Sequence, residues 1–214
     1  MNKILSIIIP TYNAAQFLDK GLSTFIMEDK EMMDKLEVLI VNDGTKDNSV
    51  EVAQKFVDRY PNTFKIINKE NGGHGSAINT GVENVTGKYF KCVDADDWVY
   101  TDALERTMKI LEKEDFDALI QSFITYDISK DLWEPRDIHC DNTDRIYNLK
   151  EIVDMWEQID YGMSFHGVTY NSQFYKRLGY KLIEGVFYED QEYATIPLSY
   201  AKRIRLLDDE LYVY

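Results

Sequence analysis

Three times before residue 100, an apolar run of strand length stops at a cluster of polar side chains. Ile4 to Pro10 gives way to Thr11-Tyr12-Asn13, and Leu36 to Val41 gives way to Asn42-Asp43-Gly44. The run that begins at Lys88 (KYFKCVDADDWV) ends in Asp94, Asp96 and Asp97. Short continuous apolar runs mark strands buried on both faces, as in a parallel sheet covered by helices. Helical spacing fills the intervals. Phe17, Leu18, Gly21, Leu22 and Phe25 predict a helix over about 14–27 with Asn13 as its N-cap. Val50, Ala53, Phe56 and Val57 predict the next, with Asp47 or Asn48 near its cap. After a third strand at Phe64–Ile67, Ala77, Ile78, Gly81, Val82 and Val85 place a helix start within the glycine-rich NGGHGSAINTG. The alternation predicts an α/β fold with a Rossmann-like, doubly wound, mostly parallel sheet. Such sheets bind ligands outside the carboxyl ends of their strands. TYN, NDG and DADD all fall there.

The acidic cluster is the most demanding of the three. Carboxylates this close repel one another and raise each other's pKa unless a cation lies among them. A hard divalent ion with oxygen ligands, Mg2+ or Mn2+, relieves that conflict. A solvated acidic turn is the plainer alternative. The charge balance narrows the partners: 24 basic against 38 acidic residues leave −14. That field repels a polynucleotide but admits a nucleotide whose phosphates are met by a metal. Two cysteines, Cys92 and Cys140, make no disulfide framework and suit a reducing, cytoplasmic compartment. No apolar stretch has the length of a membrane span, which leaves peripheral association at the inner face of a membrane open.

The second half is less regular. Asp102 and Glu105 suggest a capping box that opens a helix on Leu104, Met108 and Leu111, running to about Glu114. Ala118–Tyr126 reads as a strand and 129–148 as a polar loop or irregular hairpin. Leu149–Gln158 follows as a short helix, Phe165–Tyr170 as a strand, and Asn171–Leu178 as a helix closed by Gly179. A further helix follows Glu189-Asp190, and Leu211–Tyr214 is a last strand. With no repeat and no linker, one domain over 1–214 is expected, with a less regular C-terminal part.

SIIIPTYN, VNDGTKDNS, NGGHGSAINTG, VDADDW and YEDQEY, in this order and at these spacings, resemble the family 2 glycosyltransferases of GT-A fold. The resemblance runs from about Leu5 to about Tyr200. It implies an inverting enzyme that moves a sugar from a nucleotide-diphospho-sugar, chiefly a UDP-sugar, to a hydroxyl of a glycan or lipid-linked acceptor. It further implies work in bacterial cell-surface polysaccharide synthesis, with a nucleotide-sugar-binding half over about 1–100 and an acceptor-binding half over about 101–214. Matched position by position, Thr11 and Tyr12 would line the uracil and ribose pocket, and Asp43 would accept the uracil N3–H. Asn79 would join the nucleotide-binding set. Asp94 would face the ribose and the metal, and Asp96 would coordinate the metal directly; Asp97 either supports that site from behind or, the preferred reading, caps the helix after Trp98. Asp190 would be the general base and Glu189 its support.

The chain departs from the family's pattern at Asn42, where a first acid is frequent, and at Ile78, where many relatives carry an arginine. Relatives also continue with a basic, aromatic segment; either the sequence is a shortened piece of a longer chain, or Lys202, Arg203 and Arg205 serve instead. His74 is a turn residue or a substrate contact. Trp98, Trp156, Tyr161, His166 and Tyr188 are candidates to frame an acceptor sugar. Two other functions compete. A nucleotidyltransferase would want a basic glycine-rich loop where TYNAAQF stands. A catalytically silent nucleotide-sugar-binding module of a larger assembly would not need the Asp94–Asp96 and Glu189–Asp190 pairs.

Overall fold

β1 (Leu5–Thr11) is buried along its whole length because it has a parallel neighbour on each side. β2 (Leu36–Asp43) pairs with it from Leu36 to Asn42, and β4 (Tyr89–Cys92) pairs with it over Leu5–Ile8. Alternation along β1 sends Ile7 and Ile9 into one core and Ile8 into the other. Each such side chain contributes about 1.5–3 kcal/mol on leaving water. The first core joins the sheet to α1 (Ala15–Ser23), α3 (Ser49–Arg59) and α5 (Thr101–Lys113). The second joins it to α4 (His74–Asn84), α8 (Ser172–Leu178) and α9 (Glu189–Thr195). These positions come from a computed structural model that describes residues 2–140, 142–159 and 162–214.

The remaining strands are β3 (Phe64–Lys69), β5 (Trp98–Val99), β6 (Ala118–Asp127), β7 (Leu132–Arg136), β8 (Ile146–Tyr147), β9 (Val168–Asn171) and β10 (Ile204–Val213). All lie in one sheet of order β3-β2-β1-β4-β9-β6-β10-β5, with β7 on β6 and β8 on β10. β9 is antiparallel to both its neighbours and splices the parallel first half to the parallel pair of β6 and β10. The register of β10 on β6 breaks between Leu207 and Tyr212. Tyr212 thereby arrives, fully buried, beneath the acidic turn after β4. On the opposite face α4 lies close on β1: a Cβ at Gly81 would stand 2.4 Å from Cγ2 of Ile8. Glycine is needed for that approach, and the approach brings the start of α4 over the strand ends.

Several local expectations give way to contacts from elsewhere. Asn13 does not cap α1. It takes a left-handed conformation (φ 51°), and its side chain accepts from the Lys46 amide. The first amides of α1 donate instead to Ser49 Oγ (from Ala14) and Asp47 Oδ2 (from Ala15), each at 2.9 Å. Nor does Asp97 cap α5, which starts four residues later at Thr101 with no side-chain cap. The two-residue β5 stands between them, so the Asp102–Glu105 capping box is not formed either. α2 (Lys30–Lys35), capped by Asp29, was not expected, because one and a half turns show no period to read. The polar 129–148 stretch holds β7, a hairpin partner of β6, and β8. α6 (Leu149–Asp154) and α7 (Trp156–Ile159) replace one continuous helix.

Lys91, in the centre of the sheet, is 1% exposed. Its ammonium donates to the carbonyls of His166 (2.5 Å) and Val168 (3.3 Å) and so tethers the turn before β9. Burial pushes its pKa down to about 7. Between pH 7 and the ordinary lysine range the unfolded chain therefore binds a proton that the folded chain does not. Stability should rise with pH across that window, by at most about 1.4 kcal/mol per unit. Lys91→Met should flatten the rise, as denaturant melts of both proteins at pH 7 and pH 9.5 would show.

Candidate active site

A cleft of about 1020 Å³ opens along the carboxyl edge of the sheet. The end of β1 supplies Thr11 and Tyr12, and β2 supplies Asp43. The turn after β4 supplies Asp94 and Asp96, and the start of α9 supplies Glu189 and Asp190. For the strand-end residues the grouping follows from strand direction: parallel strands deliver their carboxyl ends to one edge. Tyr12 is 47% exposed, with its ring at the cleft wall, while the Thr11 hydroxyl donates inward to the Ile9 carbonyl at 3.0 Å.

Asp43 has a second occupation. Its Oδ1 accepts from Lys69 Nζ (2.6 Å) and the Gly72 amide (2.9 Å), and its Oδ2 accepts from the Gly73 amide (2.8 Å). One carboxylate thus fixes the backbone of the glycine-rich loop against β2. Asn42 takes no part, since its side chain donates to Asn68 and accepts from the Thr45 amide. Asn79 does not reach the cleft. Its amide group clamps Leu182 through both the carbonyl (3.0 Å) and the N–H (2.9 Å), and it also donates to Glu184. Its side chain is consumed in holding the segment that leads to α9.

His74, in the first turn of α4, joins the two acidic pairs. Its Nε2 lies 2.9 Å from Asp94 Oδ1, and its Nδ1 lies 2.9 Å from Glu189 Oε1. Burial of the ring pulls its pKa down, but the bond and charge of Asp94 and the charge of Glu189 outweigh this and hold it above the ordinary imidazole value. In its protonated form the ring donates from both nitrogens, one to each carboxylate. Asp190 lies beside Glu189 and, among the described residues, accepts a hydrogen bond only from the neighbouring Gln191 side chain, at 3.2 Å.

The three acids after β4 occupy three environments. Asp96 is exposed in the cleft, Asp94 is half-buried against His74, and Asp97 turns into the protein. The Tyr212 hydroxyl donates to Asp97 Oδ2 at 2.5 Å and accepts from the Asp94 amide at 3.0 Å. Burial pushes the Asp97 carboxyl up to about 8, with the charges of Asp94 and Asp96 adding to the push. His166 stacks on Tyr214, and burial pushes its pKa down to about 4. Asp94, Asp97 and His166 offer ligand atoms that all lie within 4.8 Å of one another. The expected metal partner Asp96 is not in that group. Asp97 was legible as a neighbour of the acidic motif, whereas His166 carries no local signal.

Other expectations fall outside the cleft. Arg205 is buried against Glu114 at 2.9 Å, and neither Lys202 nor Arg203 lines the cleft. Trp98 lies beneath Lys20, whose Nζ is 3.1 Å from the ring centroid, and Trp156 is exposed on α7. His166 and Tyr188 do line the cleft. Tyr161 lies outside the described residues.

The model for Glycosyl transferase family 2 matches residues 6–179. The chain belongs to that family. It is 26% identical to the glycosyltransferase EpsJ of Bacillus subtilis over the whole of this chain and 61% of EpsJ. It is 24% identical to the glycosyltransferase GlyA of Streptococcus pneumoniae over 98% of this chain and 30% of GlyA. Among solved structures, S. aureus TarS 1–349 in complex with UDP-GlcNAc superposes with a TM-score of 0.79, at 20% identity, over 99% of this chain and 58% of that one. The mannosyltransferase PcManGT of Pyrobaculum calidifontis, with GDP-Man and Mn2+, gives 0.69 over all of this chain and 57% of its own. The fold is therefore that of the family, an α/β sandwich on a mostly parallel, curled sheet. The chain spans about three-fifths of the length of EpsJ and of TarS 1–349. Among the described residues, no helix is long and apolar enough to cross a membrane.

Asp43→Ala would leave the Lys69 ammonium and the Gly72 and Gly73 amides without their acceptor. Breaking such a buried pair costs about 3 kcal/mol. Urea denaturation of the variant should show a loss of that order, with protease cleavage appearing in the 71–74 loop.

Proposed function

We propose that this chain holds the catalytic site of an inverting glycosyltransferase whose donor is a nucleotide-diphospho-sugar, UDP-linked in the first instance. One observation carries the reading. Two acidic pairs from opposite halves of the chain, Asp94 with Asp96 and Glu189 with Asp190, line one cleft and are joined through His74 at 2.9 Å on each side. TarS in complex with UDP-GlcNAc supports a UDP-sugar. PcManGT with GDP-Man makes GDP-sugars the necessary comparison. On this reading residues 1–100 chiefly hold the donor, and 101–214 hold a glycan or lipid-linked acceptor. EpsJ and GlyA are bacterial glycosyltransferases, and on the same reading this chain works in cell-surface polysaccharide synthesis.

The residues fit a divalent cation. Asp94 and Asp96 would hold it from the cleft, with Asp97 and His166 within reach of Asp94's side of the site. Oxygen donors with one imidazole suit Mn2+ at least as well as Mg2+. Burial pushes the Asp97 carboxyl up to about 8, a shift that the charge of a bound cation would reverse, and the His166 imidazole down to about 4, which favours the uncharged ring that ligates metals. When bound, the ion supplies positive charge against which a diphosphate leaves.

The chain's own groups do the rest. Asp190 takes the proton of the acceptor hydroxyl as that oxygen attacks the anomeric carbon from the face opposite the diphosphate, which inverts the centre. Glu189 is held by His74 and orients the start of α9 rather than sharing the base's task. Asp43 has three bonds on its two oxygens, and a carboxylate accepts about four. The remaining site would take the uracil N3–H. Tyr12 and Thr11 line the same cleft and would hold the base and ribose, Tyr12 by stacking its ring on the base.

Asp190→Asn and Asp96→Ala should both fold as the wild type does. Asp190→Asn should lose transfer from UDP-GlcNAc by about 10²–10⁴-fold yet keep its thermal shift with UDP and Mn2+. Asp96→Ala should lose transfer and the Mn2+-dependent part of that shift. Wild-type turnover in either variant would overturn the site. A shift with GDP-sugars alone in a UDP, GDP and CDP panel would overturn the uracil contact.

A further inference from the structure

Phe187 is 91% exposed and Tyr188 is 80% exposed, although both are aromatic and both line the cleft that holds Asp190. Packing among the described residues does not account for them. Neither makes a ring contact with another aromatic among the described pairs, and neither belongs to either core. Tyr188 moreover adopts a left-handed backbone conformation (φ 69°, ψ 22°), which bulky L side chains rarely take and which glycine takes freely. A strained residue is kept where the surrounding structure holds it for a purpose. Here the turn at Tyr188 leads directly into Glu189 and Asp190, so the two rings stand at the mouth beside the carboxylate that receives the acceptor's proton.

We infer that Phe187 and Tyr188 form the surface on which a sugar ring of the acceptor rests, an inference that builds on the glycosyltransferase reading above. Three observations point to a carbohydrate. The faces of aromatic rings carry partial negative charge and suit the weakly positive C–H surface of a pyranose. The cleft, at about 1020 Å³, stands at the upper limit for one small ligand and has room for a second. The segment also lies among Glu184, Glu189 and Asp190 on a chain of net charge −14, which repels an anionic bilayer and leaves a neutral, hydroxylated partner welcome. The segment is secured from beneath, because Asn79 holds Leu182 and Glu184 while Gly185 (φ 72°) turns the chain outward. The rings are therefore presented from an anchored base.

The test is saturation-transfer NMR on the full chain with Mn2+, UDP and the methyl glycosides of glucose, galactose and N-acetylglucosamine as probes. Wild type should pass saturation to the ring protons of at least one glycoside. Phe187→Ala and Tyr188→Gly should lower that signal about tenfold relative to the UDP signal, which serves as internal reference. Tyr188→Gly relieves the left-handed residue, so it should melt no lower than wild type, which separates a lost contact from a lost fold. An equal glycoside signal in wild type and both variants overturns the inference. So does its absence in wild type while UDP is seen. Phosphatidylglycerol vesicles that retain wild type but not Phe187→Ala would assign the segment to a membrane and overturn it as well. Absence of a UDP signal from wild type counts instead against the nucleotide-sugar reading, and the glycoside signal still decides the role of the two rings.

Discussion

Besides Asp43, five carboxylates crowd one edge of the sheet, and the groups that counter them govern how the edge is built. Two unit charges about 4 Å apart cost about 4 kcal/mol even at an effective dielectric of about 20. Asp94, Asp96, Asp97, Glu189 and Asp190 therefore need partners. His74 answers Asp94 and Glu189 together, and the Tyr212 hydroxyl answers Asp97. Both partners come from afar. The first depends on the close approach of α4 to β1 at Gly81, and the second on the register break in β10.

The same arrangement separates the acids by environment. Asp97 is buried and held towards its neutral form, Asp94 is fixed at the boundary, and Asp96 and Asp190 face the cleft. Groups of one chemistry whose surroundings differ this much can take different tasks. Asp43 shows how little room there is between stability and function. It anchors Gly72 and Gly73 against β2, and it also forms part of the cleft wall.

Much of the fold was legible because it rests on short-range pattern. The continuous apolar runs of β1, β2 and β4 and the spaced apolar faces of α1, α3 and α4 carry their own signals, and the observed elements follow them within a few residues. The cleft residues Thr11, Tyr12, Asp43, Asp94, Asp96, Glu189 and Asp190 were legible too, because strand ends and family motifs mark them. Caps fared worse. Asn13, Asp97 and the Asp102–Glu105 pair all have suitable side chains, but Asp47, Tyr212 and the intervening β5 reach the relevant groups first. Asn79 matched a motif yet is spent on Leu182 and Glu184.

By itself, then, the sequence determined the alternation of strand and helix and the delivery of acidic clusters to one edge, since both follow from local periodicity and from where apolar runs stop. Only the tertiary structure decided which acid meets which partner. His74 and Glu189 are 115 residues apart, as are Asp97 and Tyr212. No local propensity specifies such contacts. They arise when β9 and β10 enter the sheet and bring the second half of the chain against the first.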